Sequence, residues 1–434
     1  MGGAGEGPIQ PALSFPPPDT MPAMRHVHAA PAAVSSAPAN LMAGFPPPLD
    51  LRVNVSNWQQ PQNVRWAFRH MREFIPTHLI STGTGDPRPL PETGTTLDIP
   101  SVVRLDESTS TVEDILASTF TDAVMVLHDG AVVDERYFDG MTETTRHLVM
   151  SVSKSIIGCV AGVLVGQDRL DPQAAVIDYV PEVAHSGYGT ATVRDVLDMR
   201  TGVAFRETYT ASDSEVRIME RSMGWAPPLA NDPHGAYAYL ATIGASGPHG
   251  GAFTYRSADT DMLGWVCERA AGQRMADLIS SLIWQPIGAE FDADITCDSV
   301  GTAIHDGGIS ATLRDLARFG QMILDDGVVE GRQVVPATWL ADSYDPGPGV
   351  REAFAHTENE PMLPGGWYRN QFWFYRNNAG PVLLCLGIHG QLVFVDRASR
   401  VVIAKMSSWP DAQNPVYLGD TLRACGAIAA AFSA

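Results

Sequence analysis

Apolar positions along the chain follow two patterns: short β-branched runs bounded by turn residues, and longer stretches in which apolar residues return every third or fourth position. The first pattern occupies residues 123–127 and 131–133, joined through Asp129-Gly130, and predicts two antiparallel strands around a tight hairpin turn. It returns at residues 381–387, 392–395 and 401–406, with a turn over 396–399, followed by an Ala-rich helix over 421–432. The second pattern predicts helices over 151–166, 193–199, 259–271 and 311–324. Strands near both ends and a helical middle predict an α/β fold of the α+β kind. Its central antiparallel sheet comes from both chain ends and is flanked by helices, with an inserted, mainly helical subdomain. A crevice between these two parts is the expected site.

Residues 1–50 break both patterns. Runs such as Phe15-Pro16-Pro17-Pro18 and Phe45-Pro46-Pro47-Pro48 hold neither a helix nor a sheet ladder, so this stretch reads as a mobile leader. Trp66, Phe68, Met71 and Phe74 recur at helical spacing, and folded sequence is expected to begin near Asn57-Trp58. Met21, Met24 and Met42 are alternative start positions.

Composition narrows the function. The chain has 49 acidic against 29 basic side chains and a net charge of −20, which would repel a polyanion and argues against nucleic acid as partner. Five cysteines at wide spacing form neither a metal-binding pattern nor a disulfide framework, as expected for a reducing compartment. No apolar run approaches the roughly 20 residues needed to cross a bilayer, so a cytoplasmic location without a membrane partner is expected.

Of the 29 basic residues only two, Lys154 and Lys405, are lysines. Lys154 lies three positions after Ser151 at the start of an apolar helix, so the hydroxyl and the amine share a face. With lysine this rare, about 0.1 Ser-x-x-Lys matches are expected by chance. The alternative is a serine cap followed by a solvated lysine. A lysine in the first turn opposes the helix dipole, however, and Leu148-Val149-Met150 and Ile156-Ile157 around it predict burial. Burial disfavours an ammonium and is expected to lower its pKa, freeing the amine for proton transfer. No Gly-x-Ser-x-Gly elbow exists to suggest a Ser-His-Asp arrangement. A second base is therefore sought in Tyr255, within Phe253-Thr254-Tyr255-Arg256-Ser257, whose pKa a nearby lysine cation would lower.

Ser151-x-x-Lys154, Tyr255-x-Ser257 and a late Gly387-Ile388-His389-Gly390 resemble the serine β-lactamase and penicillin-recognising superfamily, most of all its class C and esterase branches. Further stretches resemble one subgroup, the 6-aminohexanoate-oligomer amidases: Asn57-Trp58-Gln59-Gln60-Pro61, Val196-Leu197-Asp198-Met199, Arg221-Ser222-Met223-Gly224-Trp225 and Lys405-Met406-Ser407-Ser408-Trp409-Pro410. The likeness spans roughly residues 57–410. It implies a β-lactamase-like serine hydrolase domain over 51–434, with sheet regions at about 51–150 and 300–434 and a helical subdomain at about 170–300.

The resemblance implies two-step acyl transfer on a small amide or ester without metal or organic cofactor. Ser151 is the nucleophile and Lys154 with Tyr255 handles the proton. The Ser151 and Ile388 N–H groups form the oxyanion hole, with a register using Gly390 as the alternative. Ser257 stands where many relatives have Asn and is expected to bridge to Lys154. Tyr209 and Trp373 are implied as cleft residues closing over the substrate, and Asp306 as a partner for its ammonium end. Aromatic packing and a turn are the competing readings of these three. His389 either borders the oxyanion or faces away. Leu386-Gly387-Ile388 supplies neither the cation nor the hydroxyl of the Lys-Thr-Gly triplet usual in β-lactamases, which weighs against penicillin turnover. The expected activity is 6-aminohexanoate-oligomer amidase with carboxylesterase activity. A β-lactamase or D-Ala-D-Ala-type peptidase, and a non-catalytic peptide or cell-wall-fragment binder, are the alternatives. A homodimer is among the assemblies left open.

Overall fold

In the computed structural model of the chain, residues 40–94, 99 and 101–433 are described. The leader expected over 1–50 therefore lies outside the described residues up to position 39. Residues 40–51 form turns ending in a short 3-10 helix, Leu49–Leu51, and Leu41 and Met42 pack against the core.

The main sheet has seven strands in the spatial order Trp367–Arg369, Phe372–Asn377, Gly380–Gly387, Gln391–Asp396, Val401–Ser407, Thr121–His128 and Ala131–Tyr137. Every neighbouring pair is antiparallel. Both chain ends build it, because Thr121–His128 pairs with Val401–Ser407 and so joins the early hairpin to the late meander. The hairpin turns through Asp129 and Gly130, both at positive φ (49° and 81°), the conformation that Asp-Gly adopts at low cost. The aromatic strand pair 367–377 was not predicted. It turns through Asn370 and Gln371 at φ 53° and 68°, where buried hydrogen bonds from Gln371 Nε2 to the Val196 and Leu197 carbonyls hold an otherwise unfavourable backbone.

Helix Leu313–Leu324 starts at a Thr312 cap and lies on the sheet, with Gly320 placed over Val393 and Val402. Helix Pro415–Ala430 begins six residues before the predicted 421 because Asn414 accepts hydrogen bonds from Val416 and Tyr417 N–H. The spacing of Trp66 to Phe74 yields a short helix, Val64–Ala67, and a 3-10 turn, Met71–Glu73, rather than one continuous helix.

Helix Val152–Gly166 is buried from its first residue through Leu164, as an apolar sequence on all faces requires. It packs against helix Ser257–Ala271 and against the main sheet. A second, four-stranded sheet orders Thr77–Ile80, Ala293–Thr296, Ile309–Ala311 and His147–Leu148. Pairing of Leu148 with Ser310 brings the end of one strand, which leads into Ser151, beside the start of another, which follows Asp306. Among the described residues no helix is long and apolar enough to cross a membrane.

Candidate active site

Ser151 occupies the N-cap of helix Val152–Gly166, directly after Met150 at φ 47°. That left-handed residue turns the chain sharply from strand into helix and leaves the serine at the end of the helix dipole. Lys154 is 1% exposed, and its ammonium donates three hydrogen bonds: to Ser151 Oγ at 2.9 Å, Ser257 Oγ at 3.0 Å and the Asp306 carbonyl at 2.7 Å. The Asp306 carboxylate stands 3.5 Å away. All three lysine protons thus have acceptors.

The charge state differs from the sequence expectation. Burial works against the Lys154 cation, but the negative charges available at Tyr255, Asp306, Glu207 and Asp261 outweigh it and push its pKa up to about 12. Lys154 is a fixed cation, not a neutral amine. Tyr255 also departs from expectation. Burial pushes its phenol above the usual value, Lys154 pulls it down, Glu207 pushes it up, and hydrogen bonds to Ser151 and Lys154 pull down again, leaving a net rise. The lysine does act on the tyrosine as expected, but burial is the larger effect. The Lys154 nitrogen lies 5.2 Å from the Tyr255 ring centre.

Trp373 reaches the site only through this tyrosine. Its ring stacks on Tyr255 at 5.1 Å and meets Phe253, Phe354 and Tyr368 edge-on, so it braces the phenol within an aromatic cluster. It does not line the narrow cleft in front of Ser151. Tyr209, Asp306 and Ile388 do line it, together with Glu220, Trp225 and an apolar wall of Val216, Met219 and Met223.

Ser257 opens helix Ser257–Ala271. Its hydroxyl accepts a hydrogen bond from Lys154 and donates one to Glu207 Oε1 at 2.6 Å, while its N–H donates to Glu207 Oε2 at 2.8 Å. Tyr209 donates to the same Oε1 at 2.6 Å. Glu207 therefore fixes which way the Ser257 hydroxyl points and ties a cleft tyrosine to the lysine network. Sequence reasoning missed Glu207, Glu220 and Asp261; beyond the short Glu207-x-Tyr209 spacing, nothing local marks them.

Asp306 is a carboxyl pushed up to about 7 by burial and by Asp261, against the pull of Lys154. Its Oδ1 is buried without a hydrogen-bond partner. Such an atom in the cleft wall is an unused acceptor.

The late strand ends at Gly387, and residues 388–390 form a 3-10 turn instead of continuing it. A Cβ on Gly387 would lie 2.7 Å from the Val149 carbonyl and 3.1 Å from Ser151 N, so only glycine lets this strand end close on the serine backbone. Ile388 follows into the cleft beside Ser151. Gly390 is instead pressed against Trp409, where a Cβ would meet the indole at 2.3 Å, which disfavours the alternative register. His389 faces away from the cleft, contrary to its candidacy for substrate contact. It is at φ 59°, its Nδ1 bonds to the Trp409 carbonyl at 2.7 Å, and its ring meets Phe68 edge-on. Burial pushes its pKa down to about 4, leaving a neutral core imidazole.

Among the described residues no group of three or more His, Cys, Asp or Glu is arranged to hold a metal ion. The site as built combines a hydroxyl at a helix N-terminus, a fixed cation on its oxygen, a phenol within the same network, and a tight strand end against its backbone.

The family model described as Beta-lactamase matches residues 109–426. The 6-aminohexanoate-dimer hydrolase of Paenarthrobacter ureafaciens is 40% identical over 360 residues, covering 82% of this chain and 88% of the relative. A solved Bacillus anthracis structure, provisionally named a 6-aminohexanoate-dimer hydrolase, superposes with a TM-score of 0.77 at 26% identity, covering 87% of this chain and 97% of that one. A family VIII carboxylesterase shares the fold, with a TM-score of 0.54 at 16% identity over 73% of this chain and 95% of its own. The chain belongs to the beta-lactamase family and is a serine hydrolase.

Proposed function

We propose that this hydrolase cleaves small linear amides through an acyl-enzyme on Ser151, with 6-aminohexanoate oligomers as the preferred substrates and short esters as easier ones. The observation that carries the reading is the 2.9 Å hydrogen bond from the Lys154 ammonium to Ser151 Oγ at the mouth of the cleft. A cation on that oxygen stabilises the alkoxide and lowers the energy of losing its proton. Lys154 already carries three protons, so the serine proton passes to the Tyr255 phenolate, a minority form but a strong base. As the Ser151–carbonyl bond forms, the carbonyl electrons move to an oxygen held by the Ser151 and Ile388 N–H groups. Tyr255 then returns the proton to the departing amine as the C–N bond breaks. Water, deprotonated by the same tyrosine, releases the acid and restores Ser151.

The cleft supports this substrate class. Its apolar wall of Val216, Met219 and Met223 suits a polymethylene chain, and the unpartnered Asp306 oxygen suits an ammonium end, whereas Glu220 is already paired with Arg217. The named activity of the Paenarthrobacter relative points the same way. Among the described residues that line the cleft there is no Lys, Arg or His to meet a β-lactam carboxylate, and Arg217 beside Tyr209 is paired with Glu220.

A fluorophosphonate probe tests the nucleophile. Labelling is expected on the wild type and absent from Ser151→Ala, whereas no labelling of the wild type would favour a non-catalytic binder. In a panel of p-nitrophenyl butyrate, 6-aminohexanoate dimer and nitrocefin, the first two should turn over, and rapid nitrocefin hydrolysis would overturn the substrate assignment.

Five unpaired, buried cysteines support a cytoplasmic home, and the acidic surface supports a small-molecule rather than nucleic-acid partner. Whether the working form is a homodimer is read by sedimentation.

A further inference from the structure

Behind the Lys154 site lies a second set of charges outside the Ser151 cleft. Helix Ser257–Ala271 presents Asp261, Gly264 and Glu268 on one face, and His305 rests in the notch at Gly264. A Cβ at 264 would stand 2.2 Å from the imidazole, so glycine there is what admits the ring. His305 is fully buried. Its Nδ1 is 3.4 Å from Asp261 and its Nε2 is 4.0 Å from Glu268, while Tyr237 stacks over it at 6.1 Å. Both ring nitrogens thus face carboxylates at long hydrogen-bonding range. Burial opposes a charge on the ring, but Asp261 and Glu268 outweigh it and hold the imidazolium up to a pKa of about 9.

Asp261 connects this cation to the reacting centre. Its Oδ1 accepts the N–H of His305 at 2.8 Å and the N–H of Asp306 at 3.1 Å, fixing the peptide whose next carbonyl accepts from Lys154 at 2.7 Å. Lys154 itself is faced by Tyr255 and by the carboxylates of Asp306, Glu207 and Asp261.

We propose that Asp261 and His305 form a positioning pair for Lys154. Asp261 aims the Asp306 carbonyl at the ammonium and places a carboxylate behind it, and His305, whose ring nitrogen lies 3.4 Å from that carboxylate, holds Asp261 in place. The proposal rests on Lys154 activating Ser151, and its test separates the two.

Lys154 and Lys405 are the only lysines in the chain, so lysine labelled with carbon-13 at Cε gives two signals, assigned by Lys405→Met. In Asp261→Asn the Lys154 signal should titrate about one unit lower than in the wild type. In the same variant kcat/KM for p-nitrophenyl butyrate should fall by roughly tenfold or more. If that variant cannot fold because His305 is left unpaired, Asp261→Asn with His305→Gln removes both charges and carries the same expectation. The wild type provides a third readout, a step in the Lys154 signal as His305 loses its proton near pH 9. Unchanged Lys154 titration and unchanged kcat/KM in a folded variant, or no step in the wild type, would overturn the positioning pair. Full activity in Lys154→Ala would overturn the mechanism beneath it.

Discussion

The only two lysines in the chain are both 1% exposed, yet their surroundings drive them in opposite directions. Lys405 sits on strand Val401–Ser407, hydrogen-bonded to the Ser407 hydroxyl, 3.5 Å from the Thr119 carbonyl and 5.9 Å from the Trp409 ring centre. Burial dominates there, against the weaker pull of Cys425 and Asp122, and its pKa falls to about 7. Lys154 meets the same desolvation, but Tyr255 and then the carboxylates of Asp306, Glu207 and Asp261 converge on it and its pKa rises to about 12. Burial alone therefore does not decide the charge of a lysine. What decides it is how many anionic groups the fold brings to the same place.

The sharpest way to break this contrast is to delete each amine in turn. Lys154→Ala should lower kcat/KM on both esters and amides by roughly a thousandfold or more, with the fold retained by circular dichroism. Lys405→Met should leave kcat/KM within about threefold, because Lys405 does not line the cleft and a side chain of similar length keeps the strand packed. Comparable losses in the two variants would erase the distinction.

Next in size is Tyr255→Phe, which removes the proton carrier but leaves the cation. Amide turnover should drop by roughly a hundredfold or more, and activated esters less, since their leaving groups need no proton. The same assignment gives a sign for pH. The acting base is a phenolate whose pKa is raised, so kcat/KM for acylation should climb from pH 7 into the alkaline range. A rate that is flat or falling above neutrality would remove Tyr255 as the base.

A stability measurement separates the lysines in a different way. Lys405 is depressed from 10.5 to about 7, so between those values the unfolded chain binds more protons and stability should rise with pH by up to a few kcal/mol. Lys154 is raised, so its stabilising term is complete below 10.5 and is lost only as pH climbs through about 12. Denaturant melts of wild type and Lys405→Met between pH 7 and 10 should therefore differ in slope, the variant lacking the lysine's rise. Equal slopes would mean Lys405 is charged in the folded protein. The smallest effect is expected at His389→Gln, where kcat/KM should stay within about threefold because the ring faces the Trp409 carbonyl and Phe68 rather than the cleft.

The same contrast explains what could be read from the chain. The Ser151–Lys154 contact is three residues apart on one helix and needs no tertiary information. The Asp129-Gly130 hairpin is an equally local signal, whereas the sheet made from both termini follows from β-patterned runs at either end of a helical middle. The rise at Lys154 is not legible in the chain because Tyr255, Asp306, Glu207 and Asp261 come from positions 53 to 152 residues away, and no spacing predicts that convergence. His389 was ambiguous for a similar reason: a histidine next to a strand end can turn either way, and Trp409 decides it. The aromatic hairpin over 367–377 was legible in principle from its β-forming residues, but an Asn-Gln turn lacks the glycine that usually marks one.

The most direct test of the central claim is the titration of the two lysine Cε signals in the wild-type protein. One resonance should shift near pH 7 and disappear in Lys405→Met, and the other should remain that of a charged ammonium beyond pH 10. A Lys154 signal that loses its charge at or below neutrality would contradict the fixed-cation account and return the lysine to the role of base.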